Sequence, residues 1–85
     1  MNILVSVIIV NWNGELWLEN CLRSIYLQKY KNFEIIIVDN NSKDSSLKII
    51  KENFPRVVLI KNNDNFGFAK GNNIGFNKSK GKYIL

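Results

Sequence analysis

Two short β-branched stretches limit the class of fold open to this chain. They are Val5-Ser6-Val7-Ile8-Ile9-Val10 and Glu34-Ile35-Ile36-Ile37-Val38. Neither alternates apolar with polar residues, and near-continuous apolar runs of this length belong to strands buried on both faces of a parallel sheet. Between them, Leu18, Cys21, Leu22 and Ile25 fall at i, i+3, i+4 and i+7, one apolar stripe of a helix, with Gly14 marking the turn ahead of it. The alternation then continues. Ser42, Asp44 and Ser45 are N-cap candidates for a second helix, whose stripe runs through Leu47, Ile50 and Phe54 until Pro55 forbids further helix. Residues 57–60 predict a third strand and 82–85 a fourth. Residues 65–78 predict a third helix, although Gly67, Gly71 and Gly75 each cost roughly 1 kcal/mol relative to Ala inside one. Their spacing of four lines small residues along one helical face, where a backbone or a ligand can approach closely.

Strands alternating with amphipathic helices over short connections give βαβαβαβ: an α/β three-layer sandwich with a mainly parallel sheet and right-handed crossovers. The 85 residues allow one domain, 1–85. A chain this short buries only about 60–65% of its unfolded surface, so its stability is marginal. The single Cys21 and the absence of His exclude an internal disulfide and a zinc cluster. The longest wholly apolar runs are four residues, against the roughly 20 that span a bilayer. No basic, then apolar, leader opens the chain, so the expected compartment is the cytoplasm, with at most a peripheral position at the inner face of the membrane. Twelve Lys and Arg against seven Asp and Glu leave a net charge of +5, which favours anionic partners: nucleotides, phosphorylated lipids, membrane surfaces or nucleic acids. No three basic residues are consecutive, so solvated surface lysines account for much of that charge.

In open parallel sheets ligands sit beyond the carboxyl ends of the strands. Here those positions are polar: Asn11-Trp12-Asn13, Asp39-Asn40-Asn41-Ser42 and Asn62-Asn63-Asp64-Asn65. Asp39 is placed to accept from a ribose hydroxyl or a base N–H; an ordinary turn Asp is the alternative. Asn40, Asn41 and Ser42 add donors and acceptors beside the N–H groups of the helix that follows. Trp12 can stack on a planar base between two asparagines, or simply pack at the mouth of the sheet. Trp17 reads as packing or partner surface. Lys70 offers a cation suited to a diphosphate, with a solvated lysine as the alternative.

Residues 5–13, then Ile36-Ile37-Val38-Asp39-Asn40-Asn41-Ser42, then Asn65-Phe66-Gly67-Phe68-Ala69-Lys70-Gly71-Asn72-Asn73-Ile74-Gly75, stand in the order and spacing of the N-terminal half of family 2 glycosyltransferases. The chain resembles that family over nearly its whole length, and its third motif is most similar to the rhamnosyltransferase-like branch. The resemblance implies the nucleotide-binding half of a GT-A fold, truncated, binding a UDP- or dTDP-sugar. It further implies that Asn11 and Trp12 line the base pocket, with Asn13 among the nucleotide-sugar-binding residues. Asp39 would bind base or ribose, Asn41 would belong to the same nucleotide-sugar-binding set, and the stretch around Gly67, Lys70 and Asn73 would border ribose and diphosphate. The complete enzyme would be an inverting transferase acting on a glycan or lipid-linked acceptor, in polysaccharide biosynthesis, with Mg2+ or Mn2+.

Two departures qualify the implied site. Asn72 stands where many members carry Arg, so an expected diphosphate contact is either missing or moved to Lys70. The family's Asp-x-Asp metal motif, the acceptor half and the general base belong beyond Leu85. No catalytic residue and no metal ligand is therefore assigned to this chain, since inverting transfer needs a base on the acceptor and positive charge on the leaving diphosphate. The expectation is a truncated piece, split gene or gene remnant, inactive alone and free to self-associate or to pair with a missing C-terminal segment. Asp39→Ala is expected to weaken nucleotide binding and leave the fold intact.

Other classes fare less well. An NAD-binding Rossmann domain needs several glycines in its first turn, and Asn11-Trp12-Asn13-Gly14 has one. A non-catalytic assembly module would use the open edge of the fourth strand. Nucleic-acid binding has only charge and aromatics behind it and is not expected.

Overall fold

A computed structural model describes residues 3–85. The elements alternate as β1 (Val5–Asn11), α1 (Leu18–Tyr26), β2 (Phe33–Asp39), α2 (Ser46–Asn53), β3 (Val58–Lys61), α3 (Phe68–Lys78) and β4 (Tyr83–Ile84). The four strands form one sheet in the order β3-β2-β1-β4, every pair parallel. The architecture is therefore the expected α/β sandwich, with a wholly parallel sheet among the described residues.

Register decides which residues meet. Val5 pairs with Phe33 and Asn11 with Asp39, and Ile37 pairs with Leu59, so odd-numbered residues of all three strands share one face. Strand side chains alternate between faces with a period of two. On the odd face Ile35 and Ile37 join Leu18 and Leu22 of α1, Ile50 of α2, Phe54 and Val57 in one core, with Val7, Ile9 and Leu59 packed against it. Burying a side chain of this size contributes about 1.5–3 kcal/mol. The even face receives α3, whose buried residues are Gly71 and Gly75. A Cβ on Gly71 would lie 2.8 Å from Val10 Cγ1, and one on Gly75 would lie 2.6 Å from Ile8 Cγ2. The glycine spacing is thus used for backbone-to-sheet contact. Gly67 differs from the other two, because it precedes the helix at φ 84° and ψ 171°, a conformation that L side chains rarely adopt.

Element ends depart slightly from the apolar runs. Strands β1 and β2 each continue into a polar residue, because the ladder persists through the Asn11–Asp39 pair. The cap of α2 is supplied by Asp44, whose Oδ1 accepts from the Ser46 N–H at 2.9 Å and the Ser46 hydroxyl at 2.5 Å; Ser45 occupies the cap position without a side-chain bond. Phe54 lies just past the end of α2, buried, with its ring stacked at 6.0 Å on Tyr26. Strand β4 is two residues long, held through Lys82 N–H to Leu4 O and Leu85 N–H to Ser6 O.

At the amino end of the sheet, Ser6 Oγ donates to Glu34 Oε2 at 2.6 Å, Lys80 N–H donates to the same oxygen at 2.6 Å, and Gly81 N–H donates to Ser6 Oγ at 2.8 Å. Burial pushes the Glu34 carboxyl up, but these bonds and the Lys80 charge outweigh it and hold the group below its usual range. A carboxyl depressed in the folded state contributes stability above its unfolded value and loses it as pH falls through the folded one. Urea unfolding midpoints are therefore expected to drop on acidification through and below the usual carboxylate range, less steeply in Glu34→Gln. An equal slope in both proteins would remove Glu34 from the account.

Candidate functional site

The carboxyl ends of β1, β2 and β3 carry the polar loops, and the register brings them into contact. Asn11 and Asp39 are ladder partners with side chains on the same face, and Asn11 Nδ2 donates to Asp39 Oδ1 at 2.8 Å. Both are buried, at 0% and 1% exposure. Ser42 completes the cluster: its hydroxyl donates to Asp39 Oδ1 at 2.7 Å and its N–H to Asp39 Oδ2 at 2.9 Å. The same hydroxyl oxygen accepts from Asn11 Nδ2 at 3.2 Å and from the Asn13 N–H at 2.9 Å. Three of the roughly four acceptor positions of the Asp39 carboxylate are thus occupied, and Oδ2 keeps one.

The loops after β1 and β2 face each other across this cluster. Lys43 N–H donates to Asn13 Oδ1 at 2.8 Å, and Glu15 N–H to Asp44 Oδ2 at 3.0 Å. Burial raises the Asp44 carboxyl, yet the bonds from Ser46 and the Glu15 N–H outweigh that and hold it below its ordinary value. Asn13 and Asn41 both take positive φ, 51° and 64°, where asparagine is the side chain best tolerated after glycine. Gly14 is buried, and only glycine fits there, since a Cβ would meet Asn11 Oδ1 at 2.3 Å and the Trp17 ring at 2.6 Å. Asn11 Oδ1 itself is buried with no partner among the described residues. A buried acceptor left unpaired costs about 1–3 kcal/mol.

A second junction lies alongside. Asn40, 1% exposed, donates from Nδ2 to Gly67 O at 3.1 Å and accepts at Oδ1 from Asn62 Nδ2 at 2.8 Å. One amide therefore ties the loop after β2 to the loop after β3 and to the start of α3. Gly67 N–H in turn donates to Asn65 Oδ1 at 3.0 Å.

Of the residues selected from the sequence, Asn11, Asn13 and Asp39 share one hydrogen-bonded cluster with Ser42. Asn41 flanks it, its Oδ1 accepting from Lys43 Nζ at 3.3 Å. Gly67 is joined to it through Asn40. Trp12 is 56% exposed at the mouth, free to present a ring face. Lys70 and Asn73 stand exposed on α3, and the Lys70 ammonium lies 4.3 Å above the Phe66 ring. Ser42, Asn40 and Asn62 do most of the joining, and their importance becomes visible only once strand order is known. Among the described residues no three of His, Cys, Asp and Glu gather as a metal site. The carboxylates do not suit a divalent cation as they stand, since Asp39 and Asp44 are each committed to three internal hydrogen bonds.

Comparison with known proteins accords with this geometry. The model of the family described as Glycosyl transferase family 2 matches residues 6–85. The chain is 40% identical over 82 residues to the UDP-Glc:alpha-D-GlcNAc-diphosphoundecaprenol beta-1,3-glucosyltransferase WfaP of Escherichia coli, covering 95% of this chain and 33% of that one. It superposes on Staphylococcus aureus TarS 1-349 in complex with UDP with a TM-score of 0.87 at 26% identity, covering 95% of this chain and 25% of that one. It superposes on the mannosyltransferase PcManGT of Pyrobaculum calidifontis, in complex with GDP-Man and Mn2+, with a TM-score of 0.85 at 25% identity over 94% and 25% of the two chains. The chain thus spans about a third of this curated relative and a quarter of each structure.

Proposed function

The chain belongs to glycosyl transferase family 2 and has the GT-A fold, and from that premise we propose that it is the donor-nucleotide-binding half of an inverting glycosyltransferase using a UDP- or dTDP-sugar. The observation that carries the proposal is the buried Asn11–Asp39–Ser42 cluster at the carboxyl end of the parallel sheet, with one acceptor position of Asp39 Oδ2 still open. That oxygen suits a base N–H or a ribose hydroxyl. Trp12 offers a stacking face beside it, Asn13 and Asn41 supply amides at the rim, and Gly67 keeps the start of α3 free of a side chain. Lys70, with Asn73 one turn on, lies where a diphosphate would border the helix. The UDP complex of TarS supports a uridine donor, as the UDP-Glc specificity in the name of WfaP does.

Entry of the base requires the facing loops to part. Their exposed bonds, Asn13 N–H to Ser42 Oγ and Lys43 N–H to Asn13 Oδ1, compete with water and open at low cost. Divalent-metal chemistry is supported by the Mn2+ complex of PcManGT, but the residues of this chain do not fit the ion, and no step is routed through it. The complete enzyme would pass the sugar to a glycan or lipid-linked acceptor by direct displacement.

Amide NMR titration of the 85-residue chain with UDP, dTDP, GDP and NAD, each with and without Mg2+ or Mn2+, tests the assignment. Saturable shifts at Asn11, Asp39 and Lys70 with UDP or dTDP are expected. Dispersed peaks that ignore every nucleotide would overturn it in favour of an assembly module.

A further inference from the structure

Charge is distributed unequally between the two ends of the sheet. The loops that enter β2, β3 and β4, residues 27–32, 54–57 and 79–82, carry Lys29, Lys31, Arg56, Lys80 and Lys82 and no carboxylate, a balance of +5. The loops that leave β1, β2 and β3, residues 12–17, 40–45 and 62–67, carry Lys43 against Glu15, Asp44 and Asp64, a balance of −2. All five cations of the first set are exposed. In a parallel sheet these loops emerge along one edge, and four strands about 4.8 Å apart confine them to a strip roughly 15 Å wide. That strip is the pole opposite the nucleotide cluster.

Apolar groups stand among the cations. Leu27 is 83% exposed and Tyr30 48% exposed, and Pro55 is exposed beside Arg56. Between the ends of α1 and α2, Leu27, Pro55, Arg23 and Arg56 border a cleft of about 510 Å3 floored by Tyr26 and Phe54. Arg23 lies 5.7 Å from the centre of the Phe54 ring. A protruding leucine, a tyrosine and a ring of cations match the boundary of an anionic bilayer, where apolar groups enter the headgroup layer and cations meet lipid phosphate. A nucleic acid would satisfy the cations but offer the leucine no burial.

We propose that this pole docks the protein on an anionic phospholipid surface, with the nucleotide end facing water. The central strands β1 and β2 are each seven residues long, so about 23 Å of sheet separates the two poles. Docking does not depend on the donor reading, and saturating UDP leaves it unchanged.

The test is sedimentation of the chain with vesicles of phosphatidylcholine alone and of phosphatidylcholine mixed with phosphatidylglycerol. Binding is expected only to the second, weakening as salt rises. Each cation at the surface contributes about fivefold in partition, so Lys29→Gln with Arg56→Gln lowers it roughly 25-fold. Leu27→Ser lowers it further, whereas Lys48→Gln with Lys61→Gln, the same charge removed elsewhere, changes it by less than about twofold. Far-UV circular dichroism establishes that each variant is folded before it is scored. Equal binding to both vesicles, or equal losses in the two double variants, would overturn the proposal. So would an oligonucleotide that binds at the same salt in preference to the vesicles and is indifferent to Leu27→Ser.

Discussion

Asp39→Ala is expected to weaken nucleotide binding roughly 10- to 150-fold, the worth of one charge-assisted hydrogen bond of about 1.5–3 kcal/mol, and also to destabilise the chain by about 2–4 kcal/mol, since it leaves donors of the cluster unpaired. The second effect departs from what the sequence suggests for a residue at a loop start. Asp39 is 1% exposed and accepts from Asn11 Nδ2, Ser42 Oγ and Ser42 N–H. Its removal leaves Asn11 Nδ2 with only the 3.2 Å bond to Ser42 Oγ and takes away the side-chain acceptor of the half-buried Ser42 N–H. Urea unfolding separates the two effects, and the titration is then repeated below the unfolding transition. A folded variant that binds UDP with undiminished affinity would exclude Asp39 from the nucleotide site and leave it a purely structural residue.

Gly75→Val is expected to be the most disruptive change on α3. The first added carbon would sit 2.6 Å from Ile8 Cγ2 and 3.2 Å from Val38 Cγ2, below any ordinary contact, and two further carbons must follow it. Overpacking of this kind costs about 1–3 kcal/mol, well above the few tenths that valine recovers over glycine in helix propensity. The helix would have to lift from the sheet, and its N-terminal Gly67 O would leave Asn40 Nδ2, now 3.1 Å away. Nucleotide affinity should therefore fall with stability although residue 75 touches no part of the proposed site. Thermal unfolding and titration of the same sample check both, and an unchanged melting temperature would mean that α3 does not pack by backbone contact.

The sequence revealed those parts of the fold whose burial is written in consecutive residues. Ile35 to Val38 are all buried, so a run without polar interruption correctly announced a strand covered on both faces. The stripe of α1 was equally legible, with Leu18 and Leu22 fully buried. Gly67 was not, because a glycine three residues into a helical pattern reads as a weak helix position, whereas its positive φ belongs to the turn that precedes Phe68. The site divides in the same way. Asn11 and Asp39 could be selected from their place after apolar runs. The roles of Ser42, Asn40 and Asn62 rest on contacts between loops 22 to 31 residues apart in sequence, which no local pattern encodes. Asp44, expected as one cap candidate among three, takes that role through Oδ1 while its Oδ2 accepts from the Glu15 N–H of the facing loop.

The shared face of Asn11, Asp39 and the core has a consequence for how this domain can vary over time. Both side chains project to the same side as Val7, Ile9, Ile35 and Ile37, so one alternation along each strand specifies hydrophobic packing and ligand chemistry together. Inserting or deleting a single residue between the apolar positions and the polar one in β1 or β2 would leave the two on opposite faces, separating the site from the packing that holds it. Relatives can therefore diversify this pair by substitution within the strand, while changes of length are confined to the loops beyond it.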